Sequence, residues 1–473
     1  MSVTIEHDSA VSTSLTAQRD ASQTFPAPAP LPLPRDFYKQ FLADGTQMKQ
    51  NPIRSLEHYE RQPGMLTLLA GKPNTSVFPL TSFQFTATSP ENPSRQDQLS
   101  VTGALLAQSL QYCPTAGIPS LLEWLAGLQA YSHGRKKEGW RVTTGVGSQD
   151  LLYKATSAVI NPGDYALIES PSYAGYIPVL TRLKCKIISI ESDSEGIKPS
   201  SLKTVLENWP KSRPLPKLLY TVPYGCNPSG ATTPTDRRRE ILALARKYNF
   251  LIFEDDPYYY LYYGKTPRPK SYFTLELEQP EVGRVVRFDS LSKTISGGLR
   301  IGFASGPETI IDAVDILSSI STLQASTFTQ VIADTLLRHW GYAGFNAHAE
   351  RAAAFYRRRR DLFECAMQKH LVGLAEWTTP DAGMFFWIKL LLADPTDPSA
   401  PAGDSTTVLQ TALAHGVVVL PGVAFMPDGQ KTPYIRASFS QLDDNMVEES
   451  VKRLASAILE TRRQFRSVGR AKL

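Results

Sequence analysis

The sequence is poor in cysteine, and what it has is scattered. Cys113, Cys185, Cys226 and Cys365 lie far apart and form no C-x-x-C pair. That argues against a disulfide framework and a zinc site, and fits a reducing compartment. The seven histidines include no H-x-x-x-H pair beside an acid, so no metal constellation emerges. No apolar run approaches the roughly 18 residues needed to span a bilayer. The formal net charge of +5 is small for 473 residues and is spread along the chain, which weakens any case for nucleic acid. The N-terminus lacks an apolar signal core, and its early charges Glu6, Asp8, Arg19 and Asp20 are unlike an arginine-rich transit peptide. No repeat of fixed period is visible.

What is present reads as an ordinary globular composition, rich in tyrosine and phenylalanine, with room for about two to four domains or subdomains. Residues 1–34 are rich in Ser, Thr, Ala and Pro and close with "FPAPAPLPLP", the composition of a flexible tail. From about 86 to 340 short apolar strands alternate with amphipathic helices, the pattern of an α/β domain with a largely parallel sheet. Strand candidates are "GWRVTTG", "DYALIES", "KCKIISIE", "PKLLYTVP", "NFLIFED", "RVVRFDS" and "LRIGFAS". The helix in "TDRRREILALARKYN" has Thr235 or Asp236 to cap it. Its run Arg237 to Arg239, like Arg357 to Arg360 further on, reads as a solvated helix face. Residues 341–473 change register: a long helix over 342–370, the strand "GMFFWIKL", two short strands and a last amphipathic helix. In that helix Met446, Val447, Val451, Leu454 and Ile458 fall at helical spacing. The expectation is a smaller α+β domain completed by residues 35–85. The chain ends Ala471-Lys472-Leu473, a near relative of the Ser-Lys-Leu peroxisomal address, so a peroxisomal or a cytoplasmic location is expected.

In parallel α/β sheets ligands collect beyond the carboxyl ends of the strands, and the residues found there are chemically coherent. "GVGSQD" opens a helix whose N–H groups suit an anion, with Ser148 and Gln149 as side-chain donors. As a dinucleotide fingerprint it fails, because the third glycine is absent. "SPSYAG" presents Tyr173, and "YGCNPSG" presents Asn227. "DDPYYY" places Asp255 at the mouth of an apolar strand, with Tyr258 three residues on. A carboxylate there is costly unless a positive charge meets it. Last comes "RFDSLSKTISGGLRIG", with Ser290, Ser292, Lys293 and Arg300. Together these ask for a ligand with a phosphate, a flat ring to stack on Tyr173 and a cationic ring nitrogen for Asp255. It also needs a phenolic oxygen for Asn227 and Tyr258, and a carbonyl that condenses with Lys293. Pyridoxal 5′-phosphate has all of these features.

"NPSG", "DDPYY", "SLSKTISGGLRIG" and "YIRASFS" resemble the fold-type I, class I pyridoxal-phosphate aminotransferases. The likeness is closest to the branch of fungal aromatic amino acid aminotransferases and mammalian kynurenine/α-aminoadipate aminotransferase, and it runs from about residue 35 to 460. The resemblance implies that Lys293 condenses with the cofactor and later moves the substrate's proton, and that Asp255 keeps the ring nitrogen protonated. It implies that Tyr258 and Asn227 bond the ring oxygen. Arg436, in "PYIRASFS", matches the arginine that grips the substrate α-carboxylate, for which a guanidinium fork is suited. Gly71 resembles the glycine beside that carboxylate, and Arg54 an N-terminal arginine near the substrate side chain. Tyr112 resembles the tyrosine that reaches the neighbouring subunit's cofactor phosphate, which implies a homodimer with shared active sites. Expected substrates are an amino acid and a 2-oxo acid. The implied reaction passes an aromatic or related L-amino acid's amino group to 2-oxoglutarate.

Lys72 departs from the apolar residue often found after that glycine. It either meets a distal substrate carboxylate or points to water, with water the slightly favoured reading. Tyr224 and Cys226 also depart, and are expected to reshape the pocket wall. Phe385 and Phe386 suit an aromatic substrate or a packed core. A β-lyase or a decarboxylase would use the same lysine and arginine. A ligand-sensing regulator would carry a DNA-binding domain, for which residues 1–34 are too short and too rich in proline.

Overall fold

The computed structural model describes residues 30–46, 52–56, 59–136, 138–392 and 403–470; side chains at 54, 61 and 465–470 are outside that description. Most of the proline-rich tail and the Ala471–Leu473 terminus therefore lie outside the described residues.

A hairpin, β1 (Phe83–Thr88) and β2 (Gln96–Val101), precedes the main sheet. That sheet has eight strands: β3 (Trp140–Gly145), β4 (Tyr165–Ser170), β5 (Lys186–Asp193), β6 (Gly196–Ile197), β7 (Leu218–Thr221), β8 (Leu251–Asp255), β9 (Val285–Ser290) and β10 (Gly302–Pro307). Their order is β3-β10-β9-β8-β7-β4-β5-β6. Neighbours from β9 through β5 are parallel, β10 runs antiparallel to both β9 and β3, and β6 is antiparallel to β5. The central strands are buried throughout, as strands covered on both faces must be. One face packs Leu151, Ala155 and Val314; the other packs Ile241, Leu242 and Leu202.

Because β10 runs backwards, its first residue sits at the carboxyl edge of its neighbours. Gly302 pairs with Ser290 on one side and Gly145 on the other. The turn after β3, the turn before β10 and the turn after β9 are thus brought to one place.

The smaller sheet comprises β11 (Ala375–Trp377), β12 (Phe385–Leu390), β13 (Leu420–Pro421) and β14 (Tyr434–Ser438), antiparallel in the order β11-β12-β14-β13. Phe386, Ile388 and Ile435 turn into a core shared with Val447, Val451, Leu454 and Ile458 of the last helix. Phe385, Trp387 and Arg436 lie on the opposite face, since side chains alternate along a strand. The two sheets are joined by a helix over Thr327–His370, which breaks at Gly341 (φ 62°, ψ −177°). Phe345 packs beside Trp124 and Leu128, whereas Ala353 and Phe363 already belong to the small core.

Several expectations need revision. Residues 35–46 dock on the large domain: Tyr38 and Phe41 pack with Leu151 and Ala158, and Ala43 N donates to Ala158 O. Burial of the two rings there sets this first part of the 35–85 segment on the large domain and not on the small one. The helix Thr235–Tyr248 starts after Pro234 and has no side-chain cap; Thr235 Oγ1 accepts from Lys270 N instead. The basic runs are not uniformly solvated. Arg238 is buried and donates to the carbonyls of Thr233, Pro223 and Lys270, while Arg359 and Arg360 reach Phe439 O and Pro380 O. Guanidinium forks are employed there to satisfy backbone acceptors that loops leave bare. Met446 is exposed, one position off the buried stripe.

Candidate functional site

A cavity of about 210 Å³ opens at the carboxyl edge of the large sheet. Ser148, Gln149, Tyr173, Asn227, Asp255, Tyr258, Ser290, Ser292, Lys293 and Arg300 all line it, brought together from four βα connections and the β9–β10 turn. Val222, Pro257 and Phe385 complete the wall.

One end is built for an anion. The helix Ser148–Val159 begins after Gly147, which has no side chain to occupy its first N–H groups; those donors and the helix dipole attract negative charge. Arg300 sits in the left-handed region (φ 52°) and donates to Ser292 Oγ at 3.3 Å, Gly297 O at 3.1 Å and Val146 O at 3.3 Å. Two glycines allow the approach. A Cβ on Gly147 (φ +84°) would meet Arg300 Nη2 at 2.4 Å, and one on Gly302 would meet Ser148 N at 2.4 Å. Gln149 donates from Nε2 to Gly175 O at 2.8 Å, so its side chain holds the Tyr173 loop as well as facing the cavity.

The other end holds Asp255. Its Oδ2 accepts from Tyr220 Oη at 2.7 Å, while Oδ1, equally buried, makes no hydrogen bond within the protein. Burial pushes this carboxyl up to about 7, against the pull of the Tyr220 hydrogen bond; Asp289 adds to the rise and Arg287 opposes it. A buried acceptor without a partner, in a wall of the cavity, suits a cationic N–H.

Lys293 leaves β9 three residues after Ser290, in a turn closed by Ile295 N to Leu291 O and Leu291 N to Ile301 O. His348 Nε2 donates to Thr294 O at 2.7 Å and braces the same turn. Burial, with Arg300 and Arg436 nearby, holds the Lys293 ammonium below its ordinary value, which favours the neutral, nucleophilic amine. Arg436 Nη1 donates to Asn227 Oδ1 at 2.9 Å, and its guanidinium lies over Phe385 (4.3 Å) and near Phe425 (5.1 Å). With Oδ1 taken by Arg436, the Asn227 amide N–H groups remain as donors toward the cavity.

The remaining expected residues fall elsewhere. Tyr112 is exposed, in a segment tied by Gln111 Nε2 to Pro73 O. Gly71 is exposed with nothing near its Cβ position. Arg54 lies in the short helix Pro52–Leu56. Lys72 neither points freely to water nor toward the cavity: its Nζ pairs with Glu60 Oε2 at 2.8 Å, because Glu60 is only partly exposed and supplies a charge partner. Phe386 belongs to the small core, stacked on Phe363, leaving Phe385 alone of the pair in the cavity wall. Tyr224 and Cys226 are buried behind that wall and do not line it; Cys226 Sγ donates to Glu169 Oε1 at 3.5 Å. Burial pushes Glu169 up to about 8, although Val222 N donates to it at 2.6 Å.

Two groups were missed from sequence. Tyr220, which holds Asp255, gives no local signal beyond a tyrosine in an apolar strand. Behind β8 and β9 lies a buried cluster in which Arg287 meets Asp289 and Asp256 at 2.8 Å and Glu254 at 3.3 Å. Strand alternation in "FEDDP" could have found it, since Glu254 and Asp256 must face away from Asp255.

An anion cradle, a reactive amine, a partnerless buried carboxylate oxygen and two tyrosines in the cavity wall fit pyridoxal phosphate. The family model of aminotransferase class I and II matches residues 103–454. This chain belongs to that family. The aminotransferase is 42% identical over 410 residues to the aminotransferase tdiD of Emericella nidulans, covering 86% of this chain and 92% of that one. It is 38% identical to the mitochondrial kynurenine/alpha-aminoadipate aminotransferase of Mus musculus, over 90% of this chain and 99% of the other. Its fold matches the crystal structure of aminotransferase Aro8 from Candida albicans with a TM-score of 0.82 and 25% identity, over 92% and 99% of the chains. The aminotransferase is thus a fold-type I transaminase with pyridoxal 5′-phosphate as cofactor and amino and 2-oxo acids as substrates. Among the described residues no helix is long and apolar enough to cross a membrane, and no cluster of His, Cys, Asp and Glu could hold a metal ion.

Proposed function

We propose that this aminotransferase moves the amino group of an aromatic or related L-amino acid, such as kynurenine or 2-aminoadipate, to a 2-oxo acid, with 2-oxoglutarate as acceptor, in a ping-pong cycle. The observation that carries the reading is Arg436, held by Asn227 and bracketed by Phe385 and Phe425 beside Lys293. A fork that is already oriented binds a carboxylate at both oxygens, and the flanking rings favour an aromatic side chain.

Bound pyridoxal phosphate supplies an electrophilic carbonyl and an electron-accepting ring. Ser148, Gln149, Ser290, Ser292 and Arg300 would hold its phosphate, Tyr173 would stack on its ring, and Asp255 would meet the protonated ring nitrogen. Tyr258 and Asn227 would bond the ring oxygen. Lys293 Nζ moves the proton held at the substrate Cα, a role worth about 10²–10⁴ in rate.

The same reading makes the enzyme a homodimer. Tyr112, Leu66, Leu68, Val77 and Leu80 are exposed in the N-terminal part of the chain, more apolar surface than one segment of a monomer normally leaves to water. Tyr112 would serve the partner's phosphate site. Sedimentation should give the dimer mass, and a monomer with full activity would overturn shared sites. The Ala471-Lys472-Leu473 terminus is proposed as a peroxisomal address; a fluorescent fusion should be punctate and become diffuse when the three residues are removed.

The deciding experiment mixes loaded enzyme with single amino acids. Aromatic amino acids, kynurenine or 2-aminoadipate should convert the cofactor to its amine form and release the matching 2-oxo acid. Release of carbon dioxide or ammonia instead would make it a decarboxylase or a lyase.

A further inference from the structure

The two oxygens of Asp255 have unlike surroundings, and Tyr220 is the cause. Tyr220 stands on β7 and is fully buried. Its ring stacks on Tyr176, with 3.8 Å between centroids and 17° between planes. Tyr176 is pinned in turn. Thr156 Oγ1 gives its hydrogen to Leu152 O at 2.7 Å, so the 2.9 Å contact between Tyr176 Oη and Thr156 Oγ1 must be donated by the tyrosine. The stack fixes the Tyr220 ring, and its hydroxyl ends 2.7 Å from Asp255 Oδ2. Oδ1 is buried and left without a partner in the protein, on a residue that lines the cavity.

We propose that Tyr220 is a positioning residue for the cofactor: by donating to Oδ2 it fixes the Asp255 carboxylate with Oδ1 toward the ring nitrogen. The proposal rests on the assignment of Asp255 to that nitrogen. Three features act in concert. A hydroxyl donating to a carboxylate favours the charged form that a protonated ring nitrogen needs. It blocks rotation of the carboxyl about its last bond, because turning would break the bond to Tyr220 while burial denies a replacement in water. The Tyr176 stack prevents the phenol from following the carboxylate if it drifts. Tyr220 does not line the cavity, whereas Asp255, to which it donates, does, so its effect on the cofactor is expected to pass through Asp255.

The test is a double-mutant cycle on the full-length enzyme with Tyr220→Phe, Asp255→Ala and both. It is read as the affinity of the apoenzyme for pyridoxal phosphate and as the position of the bound cofactor's visible band across pH. Tyr220→Phe keeps the stack and removes only the hydroxyl. It should weaken cofactor binding about 10–100-fold, the range for hydrogen bonds to charged groups, and shift the band's pH dependence. In the Asp255→Ala background it should change affinity less than about twofold. Tyr220→His, which keeps an N–H donor, should recover part of the loss. Equal losses in both backgrounds would mean that the hydroxyl serves only packing, and no loss in either would remove the role. If Asp255→Ala alone leaves affinity and band unchanged, the assignment of Asp255 fails and the proposal with it.

Discussion

Arg436 reaches across the cleft to Asn227, Nη1 to Oδ1 at 2.9 Å, so one hydrogen bond joins the small domain's sheet to a turn of the large domain. Asn227 lines the cavity and Arg436 is bonded to it from the small domain, and each limits what the other can do. The asparagine spends its acceptor on the arginine and keeps its donors. The arginine gives up one N–H and keeps the rest of its fork for a carboxylate.

Replacing Arg436 by lysine keeps a positive charge and loses the fork, the Asn227 contact at its present geometry and the packing on Phe385. kcat/KM for the amino acid should fall about 10–100-fold, consistent with loss of a charge-assisted hydrogen bond. The absorbance of bound cofactor should be nearly unchanged, since Arg436 acts on the substrate. Steady-state kinetics beside spectra of the loaded enzyme check this. A variant that loses cofactor would place the arginine in the wrong role.

Gly302 is where backbone meets backbone. A methyl group there would sit 2.4 Å from Ser148 N and 2.6 Å from Gly147 C, and main chain cannot turn away as a side chain can. Gly302→Ala should therefore displace the start of the helix that bears Ser148 and Gln149. Overpacking of this kind costs about 1–3 kcal/mol. The expected result is a lower Tm and weaker retention of cofactor, with the gap between apoenzyme and holoenzyme melting narrowed. An unchanged gap would show that the cradle tolerates the shift.

Lys72 is paired with Glu60, whose other oxygen accepts from Thr67 Oγ1 at 2.7 Å. To reach a substrate's distal carboxylate it would have to leave that partner. Lys72→Ala should change kcat/KM for 2-oxoglutarate less than about fivefold, the range of partly exposed ion pairs. It should do so equally for an acceptor with one carboxylate. A selective rise in KM for the dicarboxylic acceptor would make Lys72 a specificity residue after all.

The strands themselves and the edge at which function collects were legible because each strand candidate ends in small, polar or turn residues. Asp255 ends a strand, Ser148, Tyr173, Asn227, Tyr258 and Lys293 each follow one, and parallel topology converts that regularity into convergence. What was not legible depends on contacts between elements distant in sequence. The Tyr220 bond to Asp255 spans two strands, and nothing in "LLYT" distinguishes it from a packing tyrosine. The docking of Tyr38 and Phe41 on the large domain was equally hidden, since apolar spacing says that a face is buried but not against what. The Lys72 pair with Glu60 is fixed by a loop whose path no periodicity predicts.

Asp255 makes apoenzyme stability depend on pH in a direction opposite to that of a salt-bridged carboxylate. Burial raises it from 3.8 to about 7 in the folded protein, whereas the unfolded chain loses the proton near the ordinary value. Between those limits the folded state binds more protons, so its stability falls as pH rises, by up to about 1.4 kcal/mol per unit, and the loss is complete above about 7. Glu169, raised to about 8, and Asp256, raised by burial, act in the same sense. An amide cannot ionise, so Asp255→Asn removes the Asp255 share alone and leaves the other two as common background. Melting of the two apoenzymes by calorimetry should show a small difference at pH 4 that moves in favour of the variant through pH 5, 6, 7 and 8. With cofactor loaded the order should reverse at neutral pH, because the amide cannot balance a protonated ring nitrogen. A difference between the apoenzymes that stays flat across this range would mean that the Asp255 carboxyl is ionised in the folded protein throughout.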